Sequence, residues 1–430
     1  MSESGKILTV GILGCGSRGF HAYGKLMHGM ENAFRIVTLC DTDPGALKIA
    51  ADALGVAQEH CFTSDSEFLQ KRRSDVLVIA TLDKQHYGHA MRALELGYDI
   101  LLEKPITDNR KECYDLLAAQ KRHGNQVVVC HVLRYAKGFV KVKELLDAGK
   151  IGSLVNIQAL EQVAYWHDAH SYVRGNWRRK EDTAPMILAK CCHDLDLLQY
   201  YAGSRAVNVA SVGSLTYFKE DCALPGSTPR CKDCPHIDSC PYSAKKIYVG
   251  NFVNAGCPED EWPFNVVVPD TPVTTEKIER AIYGSSEYGR CVFHCDNDVV
   301  SHQTTNILFE NGVTASLTMM GFTKCGGRIY RFFGTVGEIV LDEEKGVILV
   351  TPFGQETETI VIGDLAEAGM AHGGGDAQLI GTLYDMITGK SENKTGLVQS
   401  LESHLMGIAA EESRLNSGMM VPVHEPERNA

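Results

Sequence analysis

The stretch LAKCCHDLD, residues 188–196, holds a lysine, two adjacent cysteines, a histidine and two aspartates. These are the side chains of a metal site, of an acid/base centre, or of an ordinary helix start. The spacing of Leu188, Leu195, Leu198 and Tyr201 predicts one helix over residues 186–202. Neighbouring residues on a helix point about 100° apart, so Cys191 and Cys192 cannot both join His193 around one ion. On that helix His193 shares a face with Lys190 and with Asp196. An acid/base role suits an imidazole, which titrates near neutrality. The plainer alternative pairs Lys190 with Asp194 at the surface and buries His193. The segment alone leaves both open.

A second group of residues points to a dinucleotide. GCGSRG places Gly14, Gly16 and Gly19 around Ser17 and Arg18, and Asp41 follows Gly19 by 22 residues. The turn follows an apolar run and opens an amphipathic one, the context in which such glycines admit a pyrophosphate to a helix N-terminus. Asp41 would accept from the adenosine ribose hydroxyls and, with Asp43 beside it, repel a 2′-phosphate, so NAD is expected over NADP. ATLDKQH supplies Thr81, Leu82 and His86, and LLEKPIT supplies Glu103 and Lys104; both follow apolar runs. Pro105 restricts the backbone of Lys104, which lies where a nicotinamide ring would be.

The elements that must hold these residues alternate. ILTVGIL, RIVTLC, DVLVIA, DILL and VVVCHV read as buried strands, with amphipathic helical stretches between them. That alternation predicts a parallel sheet covered on both faces. We expect a Rossmann NAD-binding domain over residues 1–130 and a substrate-binding and oligomerisation α/β domain over 131–430.

Composition sets the bounds. The chain has 430 residues, 44% hydrophobic and 22% charged, enough for two cores. A formal net charge of −12 argues against nucleic acid or an anionic membrane as partner. No apolar run nears the roughly 18 residues of a membrane span, and the start lacks a leader pattern. The expected location is cytoplasmic. Fifteen cysteines then read as reduced thiols or metal ligands.

GCGSRG, ATLDKQH, EKP, HDLD and the late AHGGGD…AAEESR together resemble the glucose–fructose oxidoreductase / inositol dehydrogenase family, Gfo/Idh/MocA, from residue 10 to about residue 417. The resemblance implies a second domain with an open, mostly antiparallel sheet that often forms a dimer or tetramer interface. It implies a sugar, glycoside or cyclitol substrate whose hydride passes to NAD, with Lys104 and His193 acting at the reacting oxygen. Many members carry an aspartate four residues before this histidine; here that position is Ala189, followed by Lys190. An alternative within the family is glycoside hydrolysis by transient oxidation, elimination and re-reduction. A non-catalytic NAD-binding sensor is a third reading, disfavoured by Lys104 and His193.

Around the cleft, EQVAYWHDAHSYVRGNWRRK gathers His167, His170, Arg174, Trp177 and Arg178 as an aromatic and basic substrate wall, or else as a basic loop packed over the sheet. Arg134 and Tyr135 of HVLRY, with Lys190 and His372, complete the expected substrate set. Cys222, Cys231, Cys234 and Cys240 lie in an expected insertion near residues 219–262. The C-x2-C spacing predicts a structural zinc loop, with an iron–sulfur cluster or free thiols as alternatives.

Overall fold

Six short strands, β1 (Leu8–Leu13), β2 (Phe34–Cys40), β3 (Cys61–Phe62), β4 (Val76–Ile79), β5 (Asp99–Leu102) and β6 (Val127–Val129), form the first sheet of the computed structural model, which describes residues 6–364 and 371–424. All pairings are parallel, in the order β3-β2-β1-β4-β5-β6. The order reverses between β1 and β4, and a crevice at the carboxyl ends of such strands is where ligands bind. The five expected strands are present. β3 has only two residues and no apolar run to announce it.

The helices start and stop on local chemistry. Asp43 accepts from the Gly45 amide to cap Pro44–Leu54, and Asn109 accepts from Lys111 and Glu112 to cap Arg110–His123. The latter ends at Gly124, in the left-handed region at φ 78°.

The second sheet has nine strands. They are β7 (Leu154–Ala164), β8 (Ala206–Ser214), β9 (His302–Phe309), β10 (Thr314–Thr323), β11 (Gly327–Gly334), β12 (Gly337–Asp342), β13 (Val347–Pro352), β14 (Glu358–Val361) and β15 (Val421–Pro422). They run in the order β14-β13-β12-β11-β7-β10-β9-β8-β15. Only β7 and β10 pair in parallel. On β7, Ile157, Ala159, Glu161 and Val163 alternate onto the buried face. Helices Cys192–Ala202 and Leu397–Leu415 pack against that face, burying Leu195, Leu198, Leu401 and Leu405.

Two features go beyond a division at residue 130. The segment between β8 and β9, residues 215–301, is longer than the expected insertion and has its own core around Phe218, Tyr248, Phe252 and Phe264. The chain also returns to the first domain: Leu379, Ile380 and Leu383 of helix Gly375–Ile387 pack with Leu8, Val10 and Phe34. Among the described residues no helix is long and apolar enough to cross a membrane.

Candidate active site

The glycine turn links β1 to the helical segment Ser17–His28. Gly14 has φ +94°, and a Cβ there would lie 2.4 Å from the Ala80 carbonyl oxygen. A Cβ on Gly19 would strike the Gly14 oxygen at 1.8 Å, so turn and helix meet only through glycine. Gly16 differs: a Cβ there would meet nothing within 4 Å. That open side of the backbone at a helix start is the cradle a pyrophosphate needs. Asp41, at the end of β2, accepts from the Cys15 amide at 2.6 Å and the Asp43 amide at 2.8 Å. Its carboxylate is thereby fixed beside the turn. The residues present fit NAD.

Arg18 and Glu103 join the glycine turn to the EKP turn. Glu103 accepts from Arg18 Nε at 2.7 Å, from Tyr23 Oη at 2.5 Å and from the Lys104 amide at 2.9 Å. Burial works to raise its pKa, but the charges of Arg18 and Lys104 hold it below the ordinary value. Arg18 also pairs with Asp376 at the start of the returning helix, at 2.5 Å. His86 is buried between the Thr81 and Pro105 carbonyl oxygens, at 3.0 and 2.6 Å, and so holds the two turns together. Thr81 bonds His89, while Leu82 is exposed at the sheet's carboxyl edge.

The expected single helix over 186–202 is broken. Met186–Ala189 and Cys192–Ala202 are separate, with Cys191 at φ −91°, ψ 6° between them. In an unbroken helix the Ala189 oxygen would accept from the His193 amide. Here it accepts from Lys104 Nζ at 3.0 Å. The break also overturns the surface pair of Lys190 with Asp194, and the face shared by Lys190 and His193. Lys190 instead reaches Glu161 on β7 at 3.1 Å. Asp194 is buried and accepts from Arg328 Nε and Tyr330 Oη of β11, each at 2.8 Å.

His193 lies in the first turn of the second helix and is 4% exposed. Two carboxylates of the same helix, Asp194 and Asp196, pair with arginines. Asp196 receives Arg134 Nε at 2.6 Å and Nη2 at 2.7 Å, both groups being buried. Asp194 and Asp196 thus pin the helix to β11 and to the Val132–Tyr135 turn, and the His131 ring lies edge-on to His193 at 5.9 Å. His131 packs in turn on His404 at 5.7 Å. Burial, with the nearby Arg134 and Lys104 charges, holds His131 well below the usual histidine range.

Three participants were not singled out in the sequence. His131 is one. Asp83, inside ATLDKQH, is buried and accepts from Trp177 Nε1 at 3.2 Å; burial raises its pKa, opposed by His86 and Lys104. Glu161 is the third, lifted to about 7 by burial against the pull of Arg328 and Lys190. Its signal was a carboxylate at a core position of an alternating strand.

The expected substrate residues do not form one set. Trp177 meets Asp83 across the cleft, and His167 and His170 pack on Trp262 of the insertion at 4.8 and 5.4 Å. Arg178 pairs with Asp296 at 2.9 Å and Lys190 with Glu161. Arg134 is spent on Asp196. Arg174 is fully buried, donating to the Arg290 and Tyr242 carbonyl oxygens at 2.7 Å each. Tyr135 bonds Thr395 at 3.2 Å inside the first core. The side chain of His372 lies outside the described residues.

The expected zinc loop is not supported. Cys231, Cys234 and Cys240 line one cavity with Cys291. Among the described residues, however, no three His, Cys, Asp or Glu side chains are disposed to hold a metal ion. Cys222 lies beside the Thr216 carbonyl, and Cys231 accepts from the Ala244 amide at 3.4 Å. Cys231 and Cys291 belong to the insertion's own apolar core.

A parallel sheet with a glycine turn, followed by an open, mostly antiparallel sheet, is the architecture of a two-domain nucleotide-dependent oxidoreductase. The profile described as oxidoreductase family, NAD-binding Rossmann fold matches residues 8–131, and the GFO/IDH/MocA C-terminal domain matches residues 139–230. The chain belongs to the Gfo/Idh/MocA family and is an NAD-binding oxidoreductase. YteT of Bacillus subtilis is 23% identical over 401 residues, 88% of each chain. An inositol 2-dehydrogenase of Ralstonia nicotianae is 24% identical over 206 residues, 48% of this chain and 57% of its own length. A levoglucosan dehydrogenase, solved with NADH and levoglucosan, superposes with a TM-score of 0.69 at 17% identity, over 98% of this chain and 100% of that one. That last likeness is one of fold.

Proposed function

We propose that the protein moves a hydride between NAD and a hydroxyl-bearing carbon of a sugar, glycoside or cyclitol. The observation that carries this is the Lys104 bond to Ala189, which sets the amine of the dinucleotide side four residues before His193. Gly14, Gly16, Ser17 and Asp41 would hold NAD, with Thr81, Leu82 and Lys104 toward its nicotinamide end; Arg18, His86 and Glu103 would brace the turns. When bound, NAD supplies the hydride acceptor. His193 takes the proton of the substrate hydroxyl. Lys104 donates to the same oxygen and stabilises the negative charge that develops on it. Buried Asp194 and Asp196 fix the helix so that the imidazole does not wander. Trp177 and His167 form the wall against which a sugar ring lies. The names of the inositol and levoglucosan dehydrogenases support that substrate class. The same reading includes self-association through the outer face of the nine-stranded sheet, where Val212 and Leu308 are exposed.

Redox-assisted glycoside cleavage is a second reading, favoured by one observation. Trp262 adds a third tryptophan to the wall beside Trp166, at 5.5 Å, and Trp177, giving an aglycone an aromatic surface. The test is a panel of sugars, cyclitols and aryl glycosides with NAD, followed for both NADH and aglycone. NADH from free sugars or cyclitols supports oxidation. Aglycone without net NADH, lost on removing NAD, supports cleavage. Neither product from any substrate sinks both.

A further inference from the structure

Arg174 is fully buried, and among the described residues no carboxylate pairs with it. Its Nε donates to the Arg290 carbonyl oxygen and its Nη2 to that of Tyr242, each at 2.7 Å, but carbonyl oxygens carry no net charge. A guanidinium taken out of water needs an anion near it. The Tyr248 hydroxyl is close, but burial pushes it well up and keeps it neutral. Cys295 is also near, but its thiol donates to the Cys291 carbonyl at 3.2 Å and burial raises it. Cys231 remains. Its Sγ lies 3.8 Å from Arg174 Nη2 and accepts from the Ala244 amide at 3.4 Å. The Arg290 oxygen, 3.6 Å from the same sulfur, already takes the Arg174 Nε proton. Two N–H donors on one buried sulfur suit a thiolate.

Cys231 has a neighbouring thiol. It opens a tight helical turn, Cys231–Asp233, after which the Cys234 amide donates to the Cys231 carbonyl at 3.2 Å. Side chains three residues apart on such a turn eclipse, and both cysteines line one cavity. Cys231 is buried there and Cys234 is partly exposed. Cys240 and Cys291 complete the cavity wall, and burial holds both thiols up, Cys291 to about 11. A metal needs at least three donors at one point, and among the described residues no such group is present. A disulfide needs two.

We propose that Cys231 and Cys234 are a redox dithiol that closes to a disulfide, with a low-molecular-weight disulfide as the oxidant. The partly exposed Cys234 thiol gives up its proton and attacks one sulfur of the reagent, RSSR. One RS⁻ leaves and takes that proton, and a mixed disulfide between Cys234 and SR remains. The Cys231 thiolate then attacks Cys234 Sγ and displaces the second RS⁻. Two electrons pass from the cysteine sulfurs to the reagent, which ends as RSH and RS⁻. Closure removes the anion that faces Arg174. That arginine ends the segment Ala169–Arg174, which lies between His167 and Trp177 of the wall. This consequence rests on reading the site as one of sugar or cyclitol oxidation: the oxidised form binds its alcohol substrate less well, while the glycine turn keeps its hold on NAD.

The test incubates the full chain with NAD and oxidised glutathione, alkylates the free thiols and reads each cysteine by mass spectrometry. Cys231 and Cys234 should leave the alkylated set together and return with dithiothreitol. In Cys231→Ser the second step has no attacking sulfur, so a glutathione adduct on Cys234 should persist. In Cys234→Ser the remaining Cys231 should stay reduced. Metal near one per chain that shields these thiols, a disulfide to Cys240 or Cys291 instead, or a wild type left reduced overturns the proposal. With a reacting alcohol, KM should rise several-fold on oxidation while NAD titration does not move. An unchanged KM in fully oxidised protein overturns the link to the wall. Failure of every alcohol to react counts against the reading of the site alone, because the thiol count does not depend on turnover.

Discussion

Lys104 Nζ donates to the Ala189 carbonyl oxygen at 3.0 Å, joining the turn after β5 of the first sheet to the helix that precedes His193. The oxygen is available because the helix breaks after Lys190. Where many relatives are expected to place an aspartate side chain, this chain offers its own backbone as the lysine's partner.

Cofactor choice tests the glycine turn. Asp41 is the acceptor placed for the adenosine ribose, and its charge would repel a 2′-phosphate. Asp41→Ala should weaken NAD by about ten- to hundredfold, the scale of a hydrogen bond to a charged group, and narrow its preference over NADP. Asp41→Asn keeps an acceptor for the Cys15 amide and separates loss of charge from loss of the turn. Titration of both nucleotides by fluorescence decides it; a wild type that prefers NADP contradicts the assignment.

The Arg134–Asp196 pair is buried on both sides. Asp196→Ala leaves a guanidinium uncompensated in the core, which costs about 3–5 kcal/mol. Replacing both partners, as Arg134→Met with Asp196→Leu, should restore most of that stability because neither charge remains. Urea midpoints of the three proteins measure it. A loss below about 1 kcal/mol in the single variant would mean that the pair does not hold the helix.

Glu161 gives stability a pH dependence. In the native chain burial lifts this carboxyl to about 7, whereas at the ordinary glutamate value of 4.5 it has already lost its proton in the unfolded chain. Between those values the native state binds more protons, so this group's contribution falls as pH rises. Glu161→Gln cannot titrate. The stability of the wild type relative to this variant should therefore decline from about pH 5 to about pH 7 and level off above. A difference that is flat over the window, or that rises, contradicts the assignment.

The first sheet was legible because its strands are buried on both faces and read as unbroken apolar runs. The glycine turn and Asp41 were legible because backbone approach demands glycine at Gly14 and Gly19. What was missed depends on the second sheet. Arg134 and Arg174 look in sequence like ligands for an anion, yet each is consumed by partners 62 and 116 residues away, Asp196 and the Arg290 carbonyl. The break at Lys190 answers to Glu161 on β7 and Lys104 beyond β5, contacts no helical periodicity contains. The four cysteines matched a metal spacing, but spacing does not bring sulfurs to a common point.

In the proposed reaction His193 exchanges the substrate proton while Lys104 holds the oxygen. It is tested most directly by single-turnover reduction of NAD with a reacting sugar or cyclitol, in the wild type and in His193→Ala. The variant should bind NAD within a few-fold of the wild type, because the glycine turn lies in the other domain. Its reduction rate should fall by about 10² or more, the scale for losing a positioned proton-transfer group. Reduction at the wild-type rate would return His193 to the role of a buried helix residue and remove the acid/base centre from this site.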